Sequence, residues 1–174
     1  MRSTSILTVP NLLSLARFPL AAAFLASSSV RMRVWILGLA ALTDLLDGWL
    51  ARRGQSSQLG ALLDPVADKT FVLIAVTAFL ADGAISARDY LVVLSRDIMT
   101  VIGFFVATVT PGLKASMFKA RLSGKVVTVL QLLALLLLLV RPAEFPSLIP
   151  LLAVTSAWAV ADYTLMLHRA RLRS

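Results

Sequence analysis

Apolar residues fall into six long stretches, about 9–28, 32–51, 61–81, 87–109, 122–141 and 146–167. Each approaches the roughly 20 residues that a helix needs to cross the hydrocarbon of a bilayer. The run Leu132 to Val140 is almost pure leucine, so the fifth is the clearest of them. Pro10, Pro111, Pro142 and Pro146 fall at or near the proposed ends, where proline disturbs a helix least. The stretches leave only short connections. The pattern predicts an all-α integral membrane protein with six transmembrane helices in a single domain, 1–174.

Composition agrees. The 174 residues are 59% hydrophobic and 15% charged, against a usual charged share of about 25%. Without cysteine, the chain has no disulfide, zinc–thiolate site or thiol nucleophile. His168 is the single histidine, so a histidine-rich metal site is excluded as well. The first apolar stretch has no small-residue cleavage site leading to a soluble domain, so a separate signal peptide is not expected.

The net charge of +8 admits nucleic-acid binding, but the placement of the charges favours a lipid bilayer and phosphorylated substrates over nucleic acid. Arg2, Arg52, Arg53, Lys114, Lys119, Arg121, Lys125, Arg169, Arg171 and Arg173 fall on one side of the expected topology. Arg31, Arg33, Arg88 and Arg141 fall on the other, with Arg31 and Arg33 fitting the bias least well. The asymmetry predicts a multi-pass protein of the cell (inner or plasma) membrane, with both termini and the 2–3 and 4–5 connections cytoplasmic.

Of the nine acidic residues, four lie between positions 44 and 68, at the expected cytoplasmic ends of spans two and three. Helical residues three or four apart share a face. Asp44 and Asp47 are followed on that face by Gly48 and Ala51; on the next span Gly60, Asp64 and Asp68 are four apart. Two antiparallel helices joined through Arg52–Gly60 can then bring the carboxylates together. An unpaired charge at the centre of a membrane helix costs about 2.5–3.5 kcal/mol on insertion scales. Divalent cations relieve both that cost and the mutual repulsion. Oxygen-only ligands select hard ions, Mg²⁺ or Mn²⁺. Two such ions suit a phosphoryl-type displacement, and Gly48, Ala51 and Gly60 leave room for a nucleotide. Acids solvated at a membrane edge, or the ion pathway of a transporter, are the other readings of such a cluster.

The segment from Asp44 to Asp68 resembles the signature of the CDP-alcohol phosphatidyltransferases, D-x2-D-G-x2-A-R, seven or eight residues, then G-x3-D-x3-D. Asp44, Asp47, Gly48, Ala51, Arg52, Gly60, Asp64 and Asp68 meet every fixed position. The six-span layout resembles the family too. The resemblance implies a homodimeric six-helix enzyme with a cytoplasmic active site. It implies two divalent ions on Asp44, Asp47, Asp64 and Asp68, and a CDP site lined by Asp44, Gly48, Ala51, Arg52 and Gly60. Asp68 is then the base that takes a proton from an acceptor hydroxyl, whose oxygen attacks CDP-diacylglycerol and releases CMP.

The acceptor is less sharply marked. Lys119, Arg121 and Lys125 in the basic 4–5 connection, with Arg17 from the first span, are the candidate ligands of an acceptor phosphate. The stretches Asp64–Lys69 and Gly124–Gln131, and Asn11, Ser14 and Arg17 near the start, resemble phosphatidylglycerophosphate synthases, which usually carry a lysine where Val127 stands. This favours glycerol 3-phosphate. Phosphatidylglycerol, as in the related cardiolipin synthases, is the alternative, and Ala115, Ser116, Lys119 and Arg121 resemble inositol-phosphate transferases. Asn11, Ser14 and Arg17 share one helix face. Arg96 and Asp97, adjacent and so pointing about 100° apart, are expected to make helix–helix pairs, as is Asp162.

Overall fold

The computed structural model describes residues 8–52, 60–109 and 122–171, with side chains for 8–50, 63–103 and 123–165. Within them the helices are α1 (Val9–Ala26), α2 (Val30–Arg52), α3 (Gly60–Ala81), α4 (Ala87–Val109), α5 (Leu122–Val140) and α6 (Phe145–Arg171). A single 3-10 turn, Pro142–Glu144, precedes α6. The helices reproduce the six apolar stretches to within a few residues, and the protein is an all-helical membrane protein. Val9–Ala26, Ser123–Val140 and Pro142–Leu165 are long and apolar enough by composition alone to cross a bilayer. The remaining helices are as long but carry more charge: Arg33, Asp44 and Asp47 on α2, Asp64, Asp68 and Lys69 on α3, and Arg96 and Asp97 on α4.

The chain divides into two compact units, Met1–Ala84 and Ile85–Ser174. In the first, α1 packs along both α2 and α3, whose backbones stay farther from each other. α1 is their shared partner, and the acidic faces of α2 and α3 come together against it. The reason lies in α1's own pattern. Pro10, Ser14, Arg17, Ala21 and Phe24 recur every three or four residues and are all buried, and the small members let neighbouring backbones approach closely. Thr8 caps this helix, its hydroxyl accepting from the Asn11 amide at 3.5 Å.

At the far end of α1 the Phe24 ring meets Phe71 and Phe79 edge-on, with centroids 6.1 and 5.8 Å away. Such pairs contribute about 0.5–1.5 kcal/mol beyond their buried area. Arg33 lies over Phe24 and Phe79, 5.2 and 5.5 Å from the centroids. It donates to the Phe24 carbonyl at 3.2 Å and pairs with Asp82. Arg33 is therefore a neutralised, buried cation. The chain leaves α3 through Gly83, whose φ of +71° permits a Schellman turn: Ala84 N–H donates to Phe79 O, and Gly83 N–H to Leu80 O.

In the second unit α6 packs along α4 and α5. Arg96 and Asp97, expected to find partners on other helices, bond each other at 3.0 Å. The 100° between neighbours fixes only where each side chain starts; a long arginine can bend back. Asp97 also bonds outward, accepting from Gln131 of α5 at 2.7 Å, while the same Gln131 amide donates to Val93 O at 2.7 Å. Arg96 stacks over Tyr163, 5.9 Å from the ring centroid. Gly124 makes room for it: a Cβ there would lie 2.2 Å from Arg96 Nη2. Asp162 finds the interhelical partner expected of it, accepting from Ser123 at 2.8 Å.

Candidate active site

The first unit gathers its polar residues around one side chain. Arg17 rises from the buried face of α1, with 2% of its side chain exposed. Nη1 bonds Asp64 Oδ1 at 2.8 Å and Asp68 Oδ1 at 2.6 Å. Nη2 bonds Asp47 Oδ2 and reaches Asp44 Oδ1 at 3.4 Å. One guanidinium thus faces four carboxylates, two from each of the helices that α1 joins. A planar fork of donors is the side chain best shaped for this. Ser14, one turn earlier, lies 3.4 Å from Asp47 Oδ2 and from Asp64 Oδ1, and 3.1 Å from the Pro10 carbonyl. Its one proton serves one of these at a time.

The four aspartates differ in setting. Asp44, Asp64 and Asp68 keep 48%, 39% and 36% of their side chains exposed, whereas Asp47 keeps 4%. Carboxylate oxygens of Asp44, Asp64 and Asp68 lie within 4.8 Å of one another. Asp47 is set apart from this trio, and its Oδ1 is buried with no hydrogen-bond partner among the described residues. A buried carboxylate oxygen left unpaired is costly.

These observations fit a divalent ion. The donors are all hard oxygens, three come close enough to share one ion, a fourth holds a spare buried lone pair, and a single positive charge cannot balance four carboxylates. Asp44, Asp64 and Asp68, with Asp47 beside them, are the residues that would hold it.

The sequence placed Asp44, Asp47, Asp64 and Asp68 in one site, and the structure brings them together. Gly48 is half-buried, one turn beyond Asp44 on α2. Ala51 and Arg52 close α2 and Gly60 opens α3, but their side-chain surroundings lie outside the described residues. Lys119 and Arg121 lie outside them altogether. Lys125 stands exposed on α5, in the second unit. Arg17, expected to meet a phosphate, is directed at the carboxylates. That the carboxylates would gather around an α1 arginine was only partly foreseeable: the spacing of Asn11, Ser14 and Arg17 signalled a polar face but not its target.

A profile described as CDP-alcohol phosphatidyltransferase matches residues 7–165, a stretch that includes α1 and the whole aspartate cluster. The chain belongs to the CDP-alcohol phosphatidyltransferase family. This phosphatidyltransferase-family chain is 35% identical over 144 residues to the CDP-diacylglycerol–glycerol-3-phosphate 3-phosphatidyltransferase of Sodalis glossinidius, covering 74% of each. It is 35% identical over 103 residues to the Aquifex aeolicus protein of the same description, covering 56% of this chain and 58% of that one. It is also 36% identical over 103 residues to the cardiolipin synthase (CMP-forming) of Rattus norvegicus, covering 56% of this chain and 34% of that protein. The alignment with the rat cardiolipin synthase thus spans about a third of that relative's length.

Proposed function

We propose that this chain is a CDP-alcohol phosphatidyltransferase that moves the phosphatidyl group of CDP-diacylglycerol onto glycerol 3-phosphate, giving phosphatidylglycerophosphate and CMP. The observation that carries the reading is the convergence of four carboxylates from α2 and α3 at the family's signature positions, three within ligand distance of one another. The relatives named for glycerol 3-phosphate, one of them matched over 74% of this chain, support that acceptor. The similarity to a cardiolipin synthase favours phosphatidylglycerol as a second reading.

Asp68 is assigned the role of base. Its carboxylate is partly exposed, so a hydroxyl can reach it. It takes the acceptor's proton as the acceptor oxygen bonds to the phosphorus that carries the lipid; the anhydride P–O bond breaks and CMP leaves with its electron pair. Two Mg²⁺ or Mn²⁺ ions, held by Asp44, Asp47, Asp64 and Asp68, would supply charge neutralisation for the diphosphate. Asp44, Gly48, Ala51, Arg52 and Gly60 are assigned to the CDP moiety, and Lys119, Arg121 and Lys125 to the acceptor phosphate. Arg17 can join these cations only by giving up carboxylates. The proposal includes a single six-helix domain, as the match across residues 7–165 supports. It also includes a homodimer in the cell membrane, with the active site and both termini cytoplasmic.

The test is an acceptor panel with labelled CDP-diacylglycerol. CMP release should require Mg²⁺ or Mn²⁺, stop in EDTA, and be fastest with glycerol 3-phosphate among that acceptor, phosphatidylglycerol, inositol 1-phosphate and serine. Faster turnover with phosphatidylglycerol would replace the acceptor. Ion flux in liposomes without CMP release would replace the function.

A further inference from the structure

We infer that Arg17 is a built-in cation that holds the four carboxylates together and competes with divalent ions for them. The inference rests on the divalent-ion reading above. Arg17 bonds Asp44, Asp64 and Asp68 through the Oδ1 atoms, and Asp47 through Oδ2. Three of the residues it holds, Asp44, Asp64 and Asp68, are those whose carboxylate oxygens lie within 4.8 Å of one another. A divalent ion there and the Arg17 guanidinium would draw on the same three carboxylates.

Two further details point the same way. Arg17 Nε is buried and makes no hydrogen bond among the described residues. Among the described residues, the side chain's hydrogen bonds are made by its two terminal nitrogens, to the carboxylates. Asp47 Oδ1, also buried and without a hydrogen-bond partner among the described residues, is a carboxylate oxygen that Arg17 does not occupy. By contrast, Arg33 is gripped at Nε by a backbone carbonyl and stacked between rings, as suits a cation that stays in place.

The arrangement solves a folding problem. Four carboxylates on helices of a membrane protein repel one another before any ion arrives, and removing one partner of a buried ion cluster leaves uncompensated charge. A tethered cation neutralises part of that charge during assembly, then yields oxygens when divalent ions bind. The consequence is a trade. Arg17 raises stability without ions and lowers ion affinity.

Binding of Mn²⁺ alone to the full-length protein in detergent, followed by the loss of the free Mn²⁺ electron paramagnetic resonance signal, tests this without turnover. Arg17→Gln should bind Mn²⁺ at least about tenfold more tightly than wild type, since a unit charge is removed within hydrogen-bonding reach of the ligands. Its melting temperature in EDTA should fall, and Mn²⁺ should restore more of it than in wild type. Arg17→Lys keeps the charge but loses the fork, and should bind Mn²⁺ with intermediate affinity; if the glutamine variant does not fold, the lysine variant decides alone. Equal or weaker binding in the variants overturns the competition while leaving the ion site standing. No Mn²⁺ binding by wild type or variants removes the ion site, and the inference with it.

Discussion

Arg17 of the first unit and Arg96 of the second are both buried in three-helix frames, yet the two arginines do opposite things. Arg96 of the second unit is matched: one carboxylate at 3.0 Å, a tyrosine ring beneath it and a glycine cut away to admit it. Asp97 is in turn tied to Gln131. Arg17 of the first unit faces four carboxylates, and three of them remain partly open. A buried pair balanced in charge reads as architecture. An unbalanced, partly open cluster needs further cations and reads as a site. Charge balance, more than the presence of ionisable groups in membrane helices, separates the two.

The largest break in this comparison should come from the unbalanced side. Asp68→Asn keeps the shape but removes the proposed base, and CMP release should fall by about 10²–10⁴-fold, the usual worth of a general base. Its unfolding in detergent should stay near that of wild type, because the substitution relieves repulsion in the cluster. On the balanced side, Asp97→Ala should cost about 3–5 kcal/mol of stability, as loss of one partner of a buried pair does. It should leave the Mn²⁺ affinity of the folded fraction unchanged. Gly124→Ala should cost about 1–3 kcal/mol by overpacking against Arg96. In an Arg96→Ala background the same change should cost less, a coupling that a double-mutant cycle reads directly. The smallest effect belongs to Arg141→Ala. Its bond to Glu144 joins side chains 67% and 53% exposed, and such pairs contribute about 0–1 kcal/mol.

Much of this was legible in the sequence. Apolar run length gave six helices, because a bilayer demands it, and the spacing of the aspartates gave their convergence, because residues three or four apart share a helix face. The spacing of Asn11, Ser14 and Arg17 gave α1's polar face. What the sequence could not give were pairings between distant residues. Arg33 finds Asp82, 49 positions away. Asp47 and Asp44 look equivalent in the signature, yet one is sealed and the other open, because α1 packs over one side of α2. Gln131 lies in a leucine-rich helix with nothing nearby in sequence to announce Asp97. Arg96 and Asp97 make the expected contacts with other helices and also bond each other, because side-chain length outweighs the angle between neighbours.

The central claim is that the aspartates of α2 and α3, and not the polar cluster of α4–α6, hold divalent cations. It is tested most directly by Mn²⁺ binding to the full-length protein and to two single variants, Asp64→Asn and Asp97→Asn. The account predicts that Asp64→Asn loses Mn²⁺ binding while Asp97→Asn binds as wild type does. Wild-type affinity in Asp64→Asn, or its loss only in Asp97→Asn, would contradict it.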